Sequence, residues 1–154
     1  FVAVWPQEVR IAGEDALAVA LPSSVIRLQR RESFRIETLR SRPALLAGRL
    51  PGGGVVEWPP HDLSVGGCGV NATMIPDSLV PGDRLSGARL VLPAPDGGEL
   101  GLAATVRHVT ETAGRAGLRQ WRVGLAFQDL APAAEIRIQR YIARVELERR
   151  ERVG

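Results

Sequence analysis

Hydrophobic and polar positions alternate along most of this chain in short runs broken by Gly and Pro, which predicts β-strands joined by tight turns. Phe1 to Trp5 and Ala16 to Leu21 read as β segments, the second ended by Pro22. Val25 to Leu28 is expected to run extended towards Arg30. Ala44 to Leu50 and Val55 to Trp58 flank Pro51-Gly52-Gly53-Gly54, a hairpin turn. Arg84 to Leu92 and Glu99 to Thr110 flank Asp96-Gly97-Gly98, a stronger hairpin signal because Asp and Gly tolerate positive φ. Gln120 to Phe127 forms a further strand with Val123, Leu125 and Phe127 on one face. Strands at about ten-residue spacing imply a mainly β fold, a small barrel or sandwich.

The pattern changes period near the end. From Pro132 to about Arg150, Ala134, Ile138, Tyr141, Ile142 and Val145 fall on one helical stripe. Pro132 suits the first turn, where its missing N–H costs least. Glu146 with Arg150 and Glu148 with Arg152 have the favourable i, i+4 order. The helix is expected to lie on the barrel with its charged tip in water, a partner-binding tail being the alternative. A boundary is expected near Leu28-Gln29, where an apolar β segment gives way to arginines. Residues 1–28 are too short to fold alone and read as the last strands of an upstream domain, in a chain trimmed from a longer one.

The length of 154 residues allows one full domain. A chain this long buries enough surface to fold without a disulfide or metal. Cys68 is the single cysteine and reads as a small buried apolar residue. No apolar run is long enough for a transmembrane helix, and no charged-then-apolar leader opens the sequence. All 20 cationic residues are Arg, so every cation is a planar fork suited to phosphates and guanine edges. The net charge of +3 is modest, which points to a local anion site rather than a general polyanion surface.

Two clusters carry candidate chemistry. Gln29-Arg30-Arg31-Glu32-Ser33-Phe34-Arg35 holds three guanidinium groups. In an extended segment Arg31 and Arg35 share a face, while Phe34 is expected to point into the core and anchor the segment. The arginines can grip phosphates, donate to guanine O6 and N7, or stack on a base. Taken alone, such a triplet reads more simply as surface charges balanced by Glu32 and Glu37. The second cluster is Asp62-Leu63-Ser64-Val65-Gly66-Gly67. The Asp62 carboxylate suits the N1–H and N2–H₂ donor edge of guanine, and the Ser64 hydroxyl can reach a phosphate or base. Gly66 and Gly67 permit a tight turn and the approach of a flat ligand. The competing reading is an Asx-type turn between two strands, with Asp62 capping its own backbone.

The ordered pair QRRESFR and DLSVGG resembles the signature of the PilZ domain, an Arg-x-x-x-Arg motif followed by Asp/Asn-x-Ser-x-x-Gly. Arg31 and Arg35 match the first motif; Asp62, Ser64 and Gly67 match the second. The resemblance covers roughly residues 29–150. The ending VGLAFQDLAPAAEIRIQRYIARVELERR is similar to the last strand and C-terminal helix of flagellar brake (YcgR-type) PilZ proteins, and LPSSVIRLQRRESFR to their interdomain junction. It implies a six-stranded antiparallel β-barrel with a C-terminal α-helix over residues 29–154, preceded by the tail of a YcgR-type N-terminal β domain over residues 1–28. It further implies a cyclic di-GMP receptor whose site comprises Arg30, Arg31, Arg35, Asp62, Ser64, Gly66 and Gly67. The extra Arg30 before the motif implies an intercalated ligand dimer. Ordering of residues 28–35 on binding is expected to reorient the N-terminal domain. The resemblance also implies a flagellar motor rotor or stator protein as partner, and a cytoplasmic location associated with the flagellar basal body. No resident cofactor or metal is expected.

Other classes fare less well. His61, Asp62 and Ser64 include triad residue types, but neighbours on one strand do not adopt a serial hydrogen-bond geometry. His108 reads as a structural residue of its strand. Two histidines and one Cys offer no metal-ligand spacing, and a phosphate loop ending in Gly-Lys-Ser/Thr is impossible without Lys. These features argue against an enzyme. A single-stranded nucleic-acid-binding barrel stays open as an alternative, although such sites interleave stacking aromatics with their charges. A PilZ-like interaction scaffold is the other alternative, although scaffolds of that kind usually lack the arginine motif.

Overall fold

Alternation of apolar and polar residues builds a single curled sheet in the larger part of the chain, and glycine positions decide where it turns. The computed structural model describes residues 6–18, 33–95, 97–113 and 118–153. The chain divides into two units, Phe1–Arg30 and Arg31–Gly154.

In the first unit, β1 (Gln7–Ile11) and β2 (Glu14–Ala18) pair antiparallel. Their turn uses Ala12 and Gly13, both at positive φ, the geometry that matches the twist of a two-residue hairpin. The expected segments Phe1 to Trp5 and Val25 to Leu28 lie outside the described residues, as does the end of Ala16 to Leu21.

In the second unit the strands are β3 (Ile36–Glu37), β4 (Leu45–Arg49), β5 (Val55–Trp58), β6 (Pro60–Ser64) and β7 (Gly67–Ala72). After them come β8 (Arg84–Leu92), β9 (Gly98–Gly101), β10 (Ala103–Ala113) and β11 (Arg119–Gln128). The sheet runs β3-β6-β7-β11-β10-β8-β4-β5, with β9 paired to β8, and every pairing is antiparallel. This is the mainly β, barrel-type fold expected, curled into a half-barrel. Six strands, β6, β7, β11, β10, β8 and β4, make the continuous middle of the path, and β3, β5 and β9 add short pairings at its margins. The Pro51–Gly54 turn closes the β4–β5 hairpin, with Gly52 and Gly53 at positive φ. The segment expected as one strand from Glu99 to Thr110 is interrupted at Leu102, where β9 gives way to β10.

The inward faces of the sheet meet the helix α1 (Pro132–Val153) over one core. Leu46, Leu63, Val70, Leu90, Val106 and Val123 are fully buried, and Ala134, Ile138, Tyr141, Ile142 and Val145 supply the helix stripe. The Ala131 carbonyl accepts from the backbone N–H groups of Ala134 and Glu135, so Pro132 enters the first turn where no donor is missed. The helix packs against β3 and β6. Its charged end is only partly solvated: Glu148 pairs with Arg42 at 3.3 Å and Arg149 with Glu37 at 3.3 Å, while Glu146 pairs with Arg150 as expected. Arg152, the expected partner of Glu148, has no described side chain. Among the described residues, no helix is long and apolar enough to cross a membrane.

Candidate functional site

Strand register brings the two sequence clusters together. β6 and β7 form a hairpin through Val65 and Gly66, with Ser64 opposite Gly67 and Asp62 opposite Gly69. β3 lies on the other side of β6 and sets Glu37 opposite Asp62 and Ile36 opposite Leu63. Arg35, immediately before β3, therefore arrives beside the carboxylate, and its Nη1 donates to Asp62 Oδ1 at 3.1 Å. Ser33 reaches the same hairpin: its Oγ lies 3.5 Å from where a Cβ on Gly66 would stand. The two regions thus meet at one place. Arg30 and Arg31 lie outside the described residues.

Phe34 departs from expectation. It is 64% exposed, and Ile36, at 4%, is the anchor instead. Alternation is enforced only where ladder hydrogen bonds hold the pleat, and β3 begins at Ile36; residues 33–35 are outside that ladder.

The motif residues divide by role. Asp62 is in a strand rather than an Asx turn, with its side chain 16% exposed and both oxygens engaged. Ser64 is buried and donates its hydroxyl to the Gly67 carbonyl at 3.1 Å, which locks the turn. Gly67 is opposite Ala126 of β11, and a Cβ there would overlap the Leu125 carbonyl oxygen. Gly66 is exposed, and its carbonyl accepts from the Phe127 N–H at 3.0 Å, stitching the turn to β11. Asp62 and Gly66 therefore face outward while Ser64 and Gly67 hold the turn in place.

Sequence reasoning missed Arg122. Its Nη2 donates to Asp62 Oδ2, and its Nη1 donates to Asn71 Oδ1 at 2.9 Å. The signal was available: Val123, Leu125 and Phe127 face inward, so Arg122 and Gly124 must face outward. Arg122 is opposite Asn71, and Gly124 is opposite Gly69 across β7 and His108 across β10. Asp62, Asn71, Arg122 and His108 thus share the outer face of four adjacent strands around two glycines. His108 is exposed with its ring lying directly over Gly124.

Electrostatically the cluster is one carboxylate between two guanidinium groups, an arrangement still inviting to anions. His61 Nδ1 stands 3.8 Å from Asp62 Oδ2. Beneath the carboxylate, Cys68 is completely buried, and its thiol is pushed up to about 12, first by burial and then by the Asp62 charge. A hollow of about 360 Å³ adjoins the cluster, walled by Pro43, Pro59 and Pro60, with His61 and Asn71 shared between the two. Among the described residues, no group of three His, Cys, Asp or Glu side chains is arranged to hold a metal ion.

Comparison with known proteins fits this geometry. Residues 29–144 match the PilZ domain. The chain is 46% identical over 145 residues to flagellar brake protein YcgR 2 of Dechloromonas aromatica (strain RCB), covering 94% of this chain and 58% of that protein. It is 34% identical over 154 residues to flagellar brake protein YcgR 1 of Paraburkholderia phytofirmans, covering 99% and 59% respectively. The chain therefore spans less than two thirds of the length of these relatives. Among solved structures it is similar to the PilZ domain with c-di-GMP of YcgR from Escherichia coli, with a TM-score of 0.67 and 25% identity over 81% of this chain and 98% of that one. The K. pneumonia MrkH–c-di-GMP complex shares the fold, with a TM-score of 0.74 and 20% identity over 96% of this chain and 66% of that one. On the family match, the relatives and the shared fold together, the chain belongs to the PilZ domain family.

Proposed function

We propose that this chain is the ligand-binding part of a cyclic di-GMP effector that controls flagellar motility through a rotor or stator protein of the flagellar motor. One observation carries the reading: Arg35 from the first motif and Asp62 from the second meet at 3.1 Å on an outward face of the sheet. The names of the YcgR relatives and the c-di-GMP held by the E. coli PilZ domain support it.

The chemistry is binding, not turnover. An ionised Asp62 is acceptor-only and complements the N1–H and N2–H₂ edge of guanine. Arg30, Arg31 and Arg35 answer the two phosphates, and a guanidinium plane stacks on a base. Arg35 already occupies Asp62 Oδ1, so binding is an exchange: guanine donors replace the guanidinium, and Arg35 turns to a phosphate oxygen. One charge-assisted pair is given up and at least two are formed, each contributing about 1.5–3 kcal/mol. Fixing five or six residues of backbone costs about 1–2 kcal/mol each. Micromolar affinity needs about 8 kcal/mol net, so several arginine contacts and base stacking act together. The extra Arg30 directly before the motif is the reason to expect a second, intercalated ligand molecule on the same chain.

Isothermal titration calorimetry with cyclic di-GMP tests this. The expected result is micromolar or tighter binding at two ligands per chain, falling to one in Arg30→Ala. Arg35→Ala and Asp62→Ala are expected to weaken binding about tenfold or more. Absence of binding by the unaltered chain would overturn the function; a ratio of one for both the unaltered chain and Arg30→Ala would overturn the dimeric ligand alone.

A further inference from the structure

We propose that Arg122 is the residue that positions the Asp62 carboxylate and thereby sets the preference for guanine over adenine. This rests on the binding function proposed above and concerns a side chain outside both sequence motifs.

The two arginines on Asp62 are not equivalent. Arg35 reaches Oδ1 from residues outside the strand ladder, with 35% of its side chain exposed and Asp62 its one hydrogen-bond partner among the described residues. Arg122 is on β11, in the middle of the sheet, and is held at both ends of its fork: Nη2 on Asp62 Oδ2 and Nη1 on Asn71 Oδ1. Asn71 is opposite Arg122 in the β7–β11 ladder, so the backbone register fixes the distance between the two. A planar fork tied at two points cannot swing to a phosphate without giving up both bonds.

Gly69 completes the device. It is opposite Asp62, and a Cβ there would stand 2.9 Å from both Arg122 Nη2 and Asp62 Oδ2. Absence of that one side chain lets the guanidinium lie flat across β7 and reach β6. The bridge therefore spans three strands, β6, β7 and β11.

Specificity follows from what the bridge fixes. Guanine presents two donors to a carboxylate, whereas adenine presents an acceptor, N1, beside its single amino group. A carboxylate held in one orientation by its Oδ2 keeps Oδ1 aimed outward, where it accepts from the adjoining N1–H and N2–H₂ of guanine but would face the N1 lone pair of adenine. Released, it can rotate away or leave its place to a water that serves either base. Arg35 leaves on ligand arrival and Arg122 stays, so the acceptor remains charge-balanced while its outward oxygen is handed over.

The test compares cyclic di-GMP and cyclic di-AMP binding by calorimetry for the unaltered chain, Arg122→Met, Asn71→Ala and Gly69→Ala. Met keeps the length and apolar cover of the arginine stem, and Gly69→Ala leaves both charged groups in place while forcing them apart. The expected result is about a tenfold or greater loss of cyclic di-GMP affinity in Arg122→Met. The ratio of the two affinities is expected to shrink in all three variants while their circular dichroism stays that of the folded protein. If Arg122→Met does not fold, Asn71→Ala and Gly69→Ala are read by the same criteria. Folded variants with unchanged affinity and ratio would overturn the inference. A weaker affinity with an unchanged ratio would also overturn it, by reducing Arg122 to a general positive charge. Failure of the unaltered chain to bind cyclic di-GMP would instead overturn the proposed function.

Discussion

Single side chains in this protein are decided by what stands opposite them across the sheet. Cys68, opposite Leu63 and Leu125, is the clearest case, because burial and the Asp62 charge together hold its thiol protonated. Unfolded, the thiol ionises near its ordinary value of 9.0; folded, it does so near 12. The folded pKa is the raised one, so this contribution to stability is complete below about pH 9 and is lost as the pH climbs towards 12. The slope in that window is at most about 1.4 kcal/mol per pH unit. Urea unfolding at pH 8 and pH 10.5 is expected to show a larger alkaline loss for the unaltered chain than for Cys68→Ala. Iodoacetamide at pH 8 is expected to leave the folded thiol unmodified and to label it in urea. Equal alkaline losses in the two proteins would mean that the thiol is not shielded as described. Its burial was legible from residue type; its place beneath the site carboxylate was not, since that depends on β6 pairing with β7.

Elements with a strong period were legible, and elements rich in glycine and polar residues were not. The helix stripe of Ala134, Ile138, Tyr141, Ile142 and Val145 stood out because 3.6-residue periodicity is preserved when every member is buried on one side. Ile138→Ala is expected to destabilise the Arg31–Gly154 unit by about 2–5 kcal/mol in urea unfolding, the cost of lost transfer plus a residual cavity. A loss below 1 kcal/mol would mean that the helix contributes little to the core. The hairpins β4–β5 and β8–β9 were also readable, from turn residues and alternation. β7 escaped because Gly67 and Gly69 lower its strand propensity, and β6, begun by Pro60, was read only as far as His61, Asp62 and Ser64 sharing a strand. The glycines are nonetheless required, since Gly67 admits the Leu125 carbonyl and Gly69 admits the Arg122 bridge. β3 is two residues long, too short for any period to appear.

At the scale of the whole molecule, the half-barrel serves as a frame that brings residues from β6, β7 and β11 to one outward face beside the end of the arginine motif. If that face takes cyclic di-GMP, the ligand stabilises the folded state by about 2.7 kcal/mol at a hundred times its dissociation constant. For a chain of this size this corresponds to a rise of roughly 5–10 °C in the thermal midpoint of the Arg31–Gly154 unit. Differential scanning fluorimetry is expected to show that rise for the unaltered chain and little of it for Asp62→Ala. Equal rises would move the ligand away from this face. The sequence alone determined the fold class, the helix and its buried stripe, and the residue types able to recognise a guanine and its phosphates. Each of these is written locally, in period, turn chemistry or motif order. It could not disclose that Phe34 points outward, that Ser64 turns its hydroxyl into the hairpin, or that Arg122 holds the Asp62 carboxylate. Those facts depend on strand register between segments up to sixty residues apart, and register is settled only when the whole sheet closes over its core.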